Sequence, residues 1–410
     1  MKAVVFTLGC KVNSCESASL ISGLEERGYE VSDKISYADL YIINTCAVTQ
    51  EAEKKSRQAV ARVKKQNPNA KIIVTGCASQ NNPNSFYNKE GVTLVTGTSN
   101  KQRILDILDF NGVDIQEFSD TFDEKLPPKL LKTRAFVKIQ DGCNNFCSYC
   151  LIPYLRGRSR SRSPISIKRE IEYLNPLETV LTAINLTAYD YNGVKLAGLI
   201  NLLSDYNGRI RLGSLEENVI SDKFLTELSK LKDFAPHFHL SLQSGSDNTL
   251  KSMNRKYKAQ EFIDSVKLIR KYFKNVGITT DIIVGFPTET EEDFIKTLNF
   301  VNEVKFSDIH CFPYSPRQGT KSYQMKDLPS SVKKDRLNRL IEVKNRLKSQ
   351  FILDNLGQET FLITEEFVGG YTVGYTGNYI KCYLKGQLAD GKYKVKLISA
   401  YQDGAICEMV

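Results

Sequence analysis

Three short apolar runs in the first eighty residues each stop at a cysteine. "AVVFTLGC" ends at Cys10, "DLYIINTC" at Cys46 and "KIIVTGC" at Cys77. Helical stretches separate them, "SASLISGLEERGYEV" and the charged "EAEKKSRQAVARVKKQN" stopped by Pro68, and a fourth run, "VTLVTG", follows. Strands that alternate with helices must pair in parallel and bury both faces under helices, so a doubly wound sheet is the natural solution. Such sheets bind ligands outside the carboxyl ends of their strands. Three cysteines from separate strand ends can therefore converge. A plain core would bury cysteines anywhere along a strand.

The alternation resumes at "RAFVKIQDGC" and continues through "TVLTAIN", "RIRLGS", "FHLSLQSGS", "ITTDIIVGFP" and "SDIHCFPYSP", with helical segments between. Six β/α units make a partial barrel, two short of a closed eight-stranded one. The open side can admit a large substrate. A long basic helix, "SVKKDRLNRLIEVKNRLKSQFILDN", comes next. Short alternating strands with glycine turns close the chain and read as a small β-barrel. The expected fold class is α/β: an N-terminal doubly wound domain (1–118), a charged, two-proline linker (119–133), a (β/α)6 partial barrel (134–355) and a β-barrel (356–410).

The second cysteine trio, Cys143, Cys147 and Cys150 in "DGCNNFCSYC", sits where the first barrel strand ends. Barrel active sites are built there. A structural zinc site wants four ligands, and the three histidines, His237, His239 and His310, are far off in sequence. Thiolates also hold 4Fe-4S clusters, typically one per iron. Three cysteines would leave one iron open, and Tyr149 stands ready to cover it.

The 410 residues suffice for two or three domains. No apolar run of 18 or more residues suggests a membrane span, and "MKAVVFTLGC" lacks a secretory layout. A cytoplasmic protein is expected, whose ten cysteines stay reduced. Net charge is +9, yet residues 1–120 balance and residues 355–410 sum to −1. The middle carries +10, which suits a polyanionic partner.

The C-x3-C-x2-C loop on a six-unit barrel is similar to the radical S-adenosylmethionine (SAM) superfamily. With the N-terminal trio and the C-terminal barrel, the whole chain resembles the radical-SAM methylthiotransferase family. The phrases "TLGCKVN", "INTCAVT", "VTGC", "DGCNNFCSYCLIPYLRGRSRSR", "HLSLQSGSDNTLKSMNRKY", "DIIVGFPTETEEDF" and "CFPYSPRQGT" carry the resemblance. It implies two 4Fe-4S clusters, one on Cys143, Cys147 and Cys150 and one on Cys10, Cys46 and Cys77. The first would bind SAM and cleave it to a hydrogen-abstracting radical. The second would hold the sulfur that is methylated and transferred. The resemblance further implies a SAM site at Tyr149, Asn185, Ser214, Glu216, Gln243 and Asp281, a C-terminal TRAM domain that contacts RNA, tRNA as partner, and an external electron donor such as a flavodoxin or ferredoxin.

Members of this family modify threonylcarbamoyladenosine at position 37 of tRNA, isopentenyladenosine at the same place, or an aspartate of a ribosomal protein. "TLGCKVN" and "RGRSRSR" resemble the first group most. Arg156, Arg158, Arg160 and Arg162 alternate on what reads as an extended segment, and arginine pairs bidentately with both phosphate and carboxylate. They are the expected substrate contacts. The isopentenyladenosine enzyme is the nearest alternative, and a non-catalytic iron–sulfur RNA-binding protein the distant one. Two departures touch the expected SAM site: Ala183 replaces a usual glycine, and "GSLEEN" stands for "SSLEP". The C-terminal segment has no arginine, so RNA contact there would fall to lysines and to Tyr371, Tyr375 and Tyr379, for which core packing is an equal reading. Cys15, Cys311, Cys382 and Cys407 read as core residues.

Overall fold

The computed structural model describes residues 1–122, 130 and 133–410; of the linker expected at 119–133, residues 123–129 and 131–132 lie outside the described residues. The N-terminal domain is a six-stranded parallel sheet in the order β2-β1-β3-β4-β5-β6. Its strands are β1 (Lys2–Thr7), β2 (Glu30–Ser32), β3 (Leu40–Thr45), β4 (Lys71–Gly76), β5 (Val92–Thr96) and β6 (Gly112–Asp114). The two edge strands, three residues each, are too short to show a period and were not expected. Along β3, Tyr41 and Ile43 pack to one side while Leu40 and Ile42 pack to the other. The sheet is therefore covered on both faces by α1 (Lys11–Glu26), α2 (Gln50–Gln66), α3 (Cys77–Asn81) and α4 (Asn84–Tyr87). Helix α2 shows why this sequence is helical. Thr49 Oγ1 caps the Ala52 amide at 3.1 Å, Glu51 and Glu53 sit in its first turn, and Lys64 and Lys65 in its last, all matching the helix dipole.

The barrel has the six expected strand positions. They are β7 (Arg134–Asp141), β9 (Glu178–Ala183), a position split at Gly213 into Arg209–Leu212 and Ser214–Leu215, then His237–Leu240, Gly277–Val284 and Asp308–Pro313. A two-residue strand, β8 (Arg160–Ser161), pairs antiparallel with the end of β7. The split matters: Arg209–Leu212 pairs with β9, whereas Ser214–Leu215 pairs with the His237 strand. The sheet thus breaks into two parallel halves that curve around one lumen. The long helix, Ser330–Asp354, lies against the last β/α unit and is tied to it by Arg336, which reaches Glu289 at 2.7 Å.

Five C-terminal strands close a barrel, Glu359–Val368, Tyr371–Tyr375, Lys381–Lys385, Lys392–Tyr401 and Gly404–Met409. The single run "GYTVGYTGNYIKCYL" is two strands with a turn between them. Cys382 and Cys407 fill this barrel's core. The barrel docks under the amino ends of the large-barrel strands. Arg211 donates to Thr376 O and Gly377 O, both at 3.0 Å, while Glu178 takes Arg211 and Arg134. The tyrosines named for RNA contact pack on other rings and stay partly exposed. Tyr379 stacks on His237 and on Tyr375, ring centroids 4.7 Å apart in each case, and Tyr371 packs with Tyr383 and Tyr401. Their rings are engaged in packing. Among the described residues, no helix is long and apolar enough to cross a membrane.

Candidate metal-cluster sites

Strands β1, β3 and β4 are consecutive in the sheet, so Cys10, Cys46 and Cys77 leave neighbouring strand ends. Cys10 is the N-cap of α1, Cys46 follows β3 directly, and Cys77 opens α3. Glycine makes the approach possible. Gly9 has φ +104°, and a methyl there would lie 2.9 Å from Cys46 Cβ. Gly76 has φ +105°, and a methyl there would lie 2.5 Å from Thr45 O. Both conformations favour glycine. Asn13 ties the ends together, donating to Leu8 O at 2.7 Å and Thr45 O at 3.0 Å. Cys10 is exposed and the other two are buried. Burial pushes the Cys46 thiol up to about 11 and raises that of Cys77 too, so the bare thiols are neutral and a metal must displace their protons.

The barrel trio lies on the loop after β7. Gly142, at φ +71°, turns the chain where a methyl would strike Arg158 O at 1.9 Å. Phe146 takes φ +48° between the first two cysteines. The loop is pinned from the segment after the His237 strand. Ser148 N donates to Met253 O at 3.0 Å, Asn254 Nδ2 donates to Phe146 O at 2.9 Å, and Arg255 Nη1 lies 3.5 Å from Cys147 Sγ. Burial pushes the Cys150 thiol up to about 12. Tyr149 packs its ring edge-on to Phe286, centroids 6.4 Å apart.

Zinc, at 2.3 Å from each thiolate, would draw the sulfurs to within about 4 Å of one another. Among the described residues, the side chains whose ligand atoms all lie within 4.8 Å are His239, Asp281 and His310. Neither cysteine trio is gathered as a single ion would gather it. A cluster that takes one thiolate per iron is met by a donor set of cysteines alone, with one iron left open.

Of the residues expected at the SAM site, Asn185, Glu216 and the cluster loop meet directly. Asn145 Nδ2 donates to Glu216 Oε1 at 2.7 Å, Asn185 Nδ2 lies 3.3 Å from Glu216 Oε2, and Arg255 pairs with Glu216 at 2.9 Å. Ser214 is exposed beside them. Gln243, at φ +71°, bridges to the neighbouring strand. Asp281 instead accepts from His239 Nε2 at 3.1 Å. Arg255 and Asn145 were missed in the sequence reading. Both lie in phrases already singled out, "SMNRKY" and "CNNFC", but nothing in their spacing marks Glu216 as their shared partner.

The arginine segment needs correction. It is not an extended row of alternating donors: Arg156 ends a short helix, α5 (Ile152–Arg156), and is fully buried. Arg156 donates to Asn13 Oδ1 at 2.7 Å, to Glu16 at 2.8 Å and to Asp141 at 3.2 Å. Arg160 is buried on the Arg156 carbonyl at 2.7 Å, and Arg162 is held by Ser166 and Glu170. Arg158 alone of the four is exposed, its guanidinium 4.6 Å from the Phe146 ring centroid. The carboxylates that consume this charge, Glu16 and Asp141, come from α1 and β7. One reads as a helix surface residue and the other as part of the cluster loop, so the pairing was not legible.

The six-strand barrel and its cluster loop are those of a radical-SAM enzyme. Residues 137–301 match the Radical SAM superfamily and residues 2–97 match a family described as "Uncharacterized protein family UPF0004". "Threonylcarbamoyladenosine tRNA methylthiotransferase MtaB" of Bacillus subtilis (strain 168) is 38% identical over 100% of this chain and 97% of its own length. "tRNA-2-methylthio-N(6)-dimethylallyladenosine synthase" of Clostridium botulinum (strain Langeland / NCTC 10281 / Type F) is 36% identical over 84% of this chain and 81% of its own. Among solved structures, the radical SAM methyltransferase TsrM from Kitasatospora setae shares the fold, with a TM-score of 0.57 and 12% identity over 76% of this chain and 74% of that one. The chain belongs to the radical-SAM methylthiotransferase family, and is an enzyme that uses a 4Fe-4S cluster and SAM.

Proposed function

We propose that this enzyme adds a methylthio group to carbon 2 of threonylcarbamoyladenosine at position 37 of tRNA, with SAM and two 4Fe-4S clusters. The match to the threonylcarbamoyladenosine relative over the full chain carries the substrate assignment. The phrase "RGRSRSR" supports it. Cys143, Cys147 and Cys150 hold the radical-forming cluster, and Cys10, Cys46 and Cys77 hold the second. When bound, these groups supply one-electron reduction, a hydrogen-abstracting radical and the sulfur.

The second cluster is supported by the charges around its trio. Among the described residues, Arg156, Lys101, Lys138 and Arg160 are joined with only Glu16 and Asp141 in one knot of ion pairs, and all six side chains are at most 17% exposed. Two positive charges are left over. Buried charge is costly unless paired, and a thiolate-ligated cluster is anionic.

The chain's own residues divide the remaining work. Glu216, Asn145 and Asn185 offer a polar wall at the barrel cluster for the amino and carboxylate groups of SAM. Tyr149 shields that cluster on its apolar side. The Lys11 ammonium, one residue past Cys10, is held below its ordinary pKa by desolvation and by Arg211 and Arg134 of the barrel. We assign the work to the cytoplasm, with a flavodoxin- or ferredoxin-like donor. The test is mass analysis of tRNA nucleosides from a strain lacking this chain, with and without its gene restored. Loss of the methylthio form of threonylcarbamoyladenosine is expected. Loss of the methylthio form of isopentenyladenosine instead would overturn the substrate assignment.

A further inference from the structure

The N-terminal trio receives one residue from the other domain. Arg156 leaves the barrel's cluster loop six residues after Cys150 and enters the N-terminal domain with no solvent exposure. Helix α5, which it ends, packs on α3, which Cys77 begins. Leu155 of α5 and its N-cap Leu151 share a core with Cys77 and Ala78. Both terminal nitrogens of the guanidinium are used: Nη1 by Glu16 and Asp141, Nη2 by Asn13 and Glu16. Among the described residues, its Nε is a buried donor with no hydrogen-bond partner. The Cys77 thiol lies beside the same guanidinium. A buried N–H left unmade costs roughly 1–3 kcal/mol, more for a charged group.

We propose that Arg156 is a positioning residue for the N-terminal cluster, donating from Nε to its sulfur and holding its potential up, so that the loop of one cluster tunes the other. The inference rests on the two-cluster reading. The charge places a cation against an anionic group in a low-dielectric site, which favours the reduced, more negative state. The fork shape explains why arginine stands there. Two edges bind Glu16, Asp141 and Asn13 and fix the plane, and the third donor is left aimed at the trio. Lys101 lies on the same side, paired with Glu16 and 2.8 Å from Asn44 Oδ1, but its position is set within the N-terminal domain. Arg156 carries its charge from one cluster loop to the other.

The test uses the full chain with Cys143, Cys147 and Cys150 replaced by alanine, so that one cluster remains. Reconstituted protein should hold about four irons, one thiolate per iron being typical with one iron open. No iron would overturn the two-cluster reading, and this inference with it. In protein grown on 15N-arginine, pulsed EPR of the reduced cluster should show a 15N coupling. Arg156→Gln should lower the midpoint potential, by up to a tenfold change in the reduction equilibrium, about 59 mV for one electron. Arg156→Lys, which keeps the charge, should recover most of the shift. A loaded cluster with no 15N coupling, or with a potential unmoved by Arg156→Gln, would overturn the role of Arg156 and leave the two clusters standing. Where Arg156→Gln fails to fold, the 15N coupling in the otherwise native protein decides.

Discussion

Arg255 and Cys147 meet across 3.5 Å from segments 108 residues apart, and the same guanidinium pairs with Glu216 at 2.9 Å. On the proposed reading, the arginine thus joins a cluster ligand to the polar wall of the SAM site. Its Nη2 is fixed on Ser241 O at 3.0 Å and its plane lies over Tyr257. Replacing Arg255 by methionine keeps the stem and removes the fork. The variant should lose about 1.5–3 kcal/mol per charged hydrogen bond, and Glu216 is left partly buried and unpaired. SAM binding should weaken at least tenfold, with iron content lower at the barrel site. Equilibrium dialysis with SAM and iron analysis check this, and Arg255→Lys should recover little, since lysine has no fork.

The two trios stand in separate domains, so each should load alone. Alanine at Cys143, Cys147 and Cys150 should halve the iron and end release of 5′-deoxyadenosine from SAM. Alanine at Cys10, Cys46 and Cys77 should also halve the iron yet leave that release intact, while tRNA gains no methylthio group. Chromatography of the nucleoside and mass analysis of the tRNA separate the two outcomes.

Glu16 should be a stability residue. Burial alone would raise its pKa, but Arg156, Lys101 and Lys138 overcome that and hold it well below the usual carboxylate range. A carboxylate depressed in the fold stabilises above its unfolded pKa of about 4.3, and that stability drains away as pH falls toward the folded value. Glu16→Gln should cost about 3–5 kcal/mol at pH 7, the range for removing one partner of a buried pair. The difference from the native chain should shrink below about pH 4. Thermal melts at pH 7 and pH 3.5 read both.

The sequence made the architecture legible because strand and helix periods are local, and the cysteines because a strand end is a place in the fold. The sites' surroundings were not legible. Arg156 and Arg158 differ by two positions in one arginine run, yet one is sealed inside an interface and the other is open to solvent. Which is which depends on Glu16 of α1 and Asp141 of β7, and charge density along the chain carries no record of what packs against it. The tyrosines teach the same lesson. Tyr379 looks like a base-stacking residue until His237 and Tyr375 are seen on its two faces. The short edge strands β2 and β6 were lost for another reason, since three residues cannot display an alternation.

Of the four arginines expected to contact substrate, Arg158 is the exposed one. It is exposed beside the barrel cluster loop, its guanidinium over Phe146. Arg158→Ala should change stability by no more than about 0.5 kcal/mol, as surface substitutions do. It should weaken tRNA binding and flatten its salt dependence by about one unit of slope if it meets a phosphate. Release of 5′-deoxyadenosine without tRNA should persist. Salt titrations of tRNA binding check this, and an unchanged slope would assign Arg158 to the loop alone.

Glu217 supplies the pH test with the opposite sign. It neighbours Glu216, its side chain lies in the barrel, and among the described residues its Oε2 is buried without a hydrogen-bond partner. Desolvation raises its pKa to about 7, with the charge of Glu216 adding to it. A carboxyl raised in the fold is neutral there while the unfolded chain ionises from about pH 4.3. The unfolded state then binds fewer protons, so stability falls as pH rises from about 4.3 to about 7 and levels off above. Glu217→Gln removes that ionisation and keeps the shape. It should leave stability unchanged near pH 4.5, where both side chains are neutral in the fold. At pH 8 it should raise stability by about 1–2 kcal/mol, one pKa unit being worth about 1.36 kcal/mol before partial solvent screening is allowed for. Denaturant melts of the native chain and the variant at pH 4.5, 6 and 8 give the curve. A gap between them that stays flat with pH would mean Glu217 titrates as an ordinary surface carboxylate.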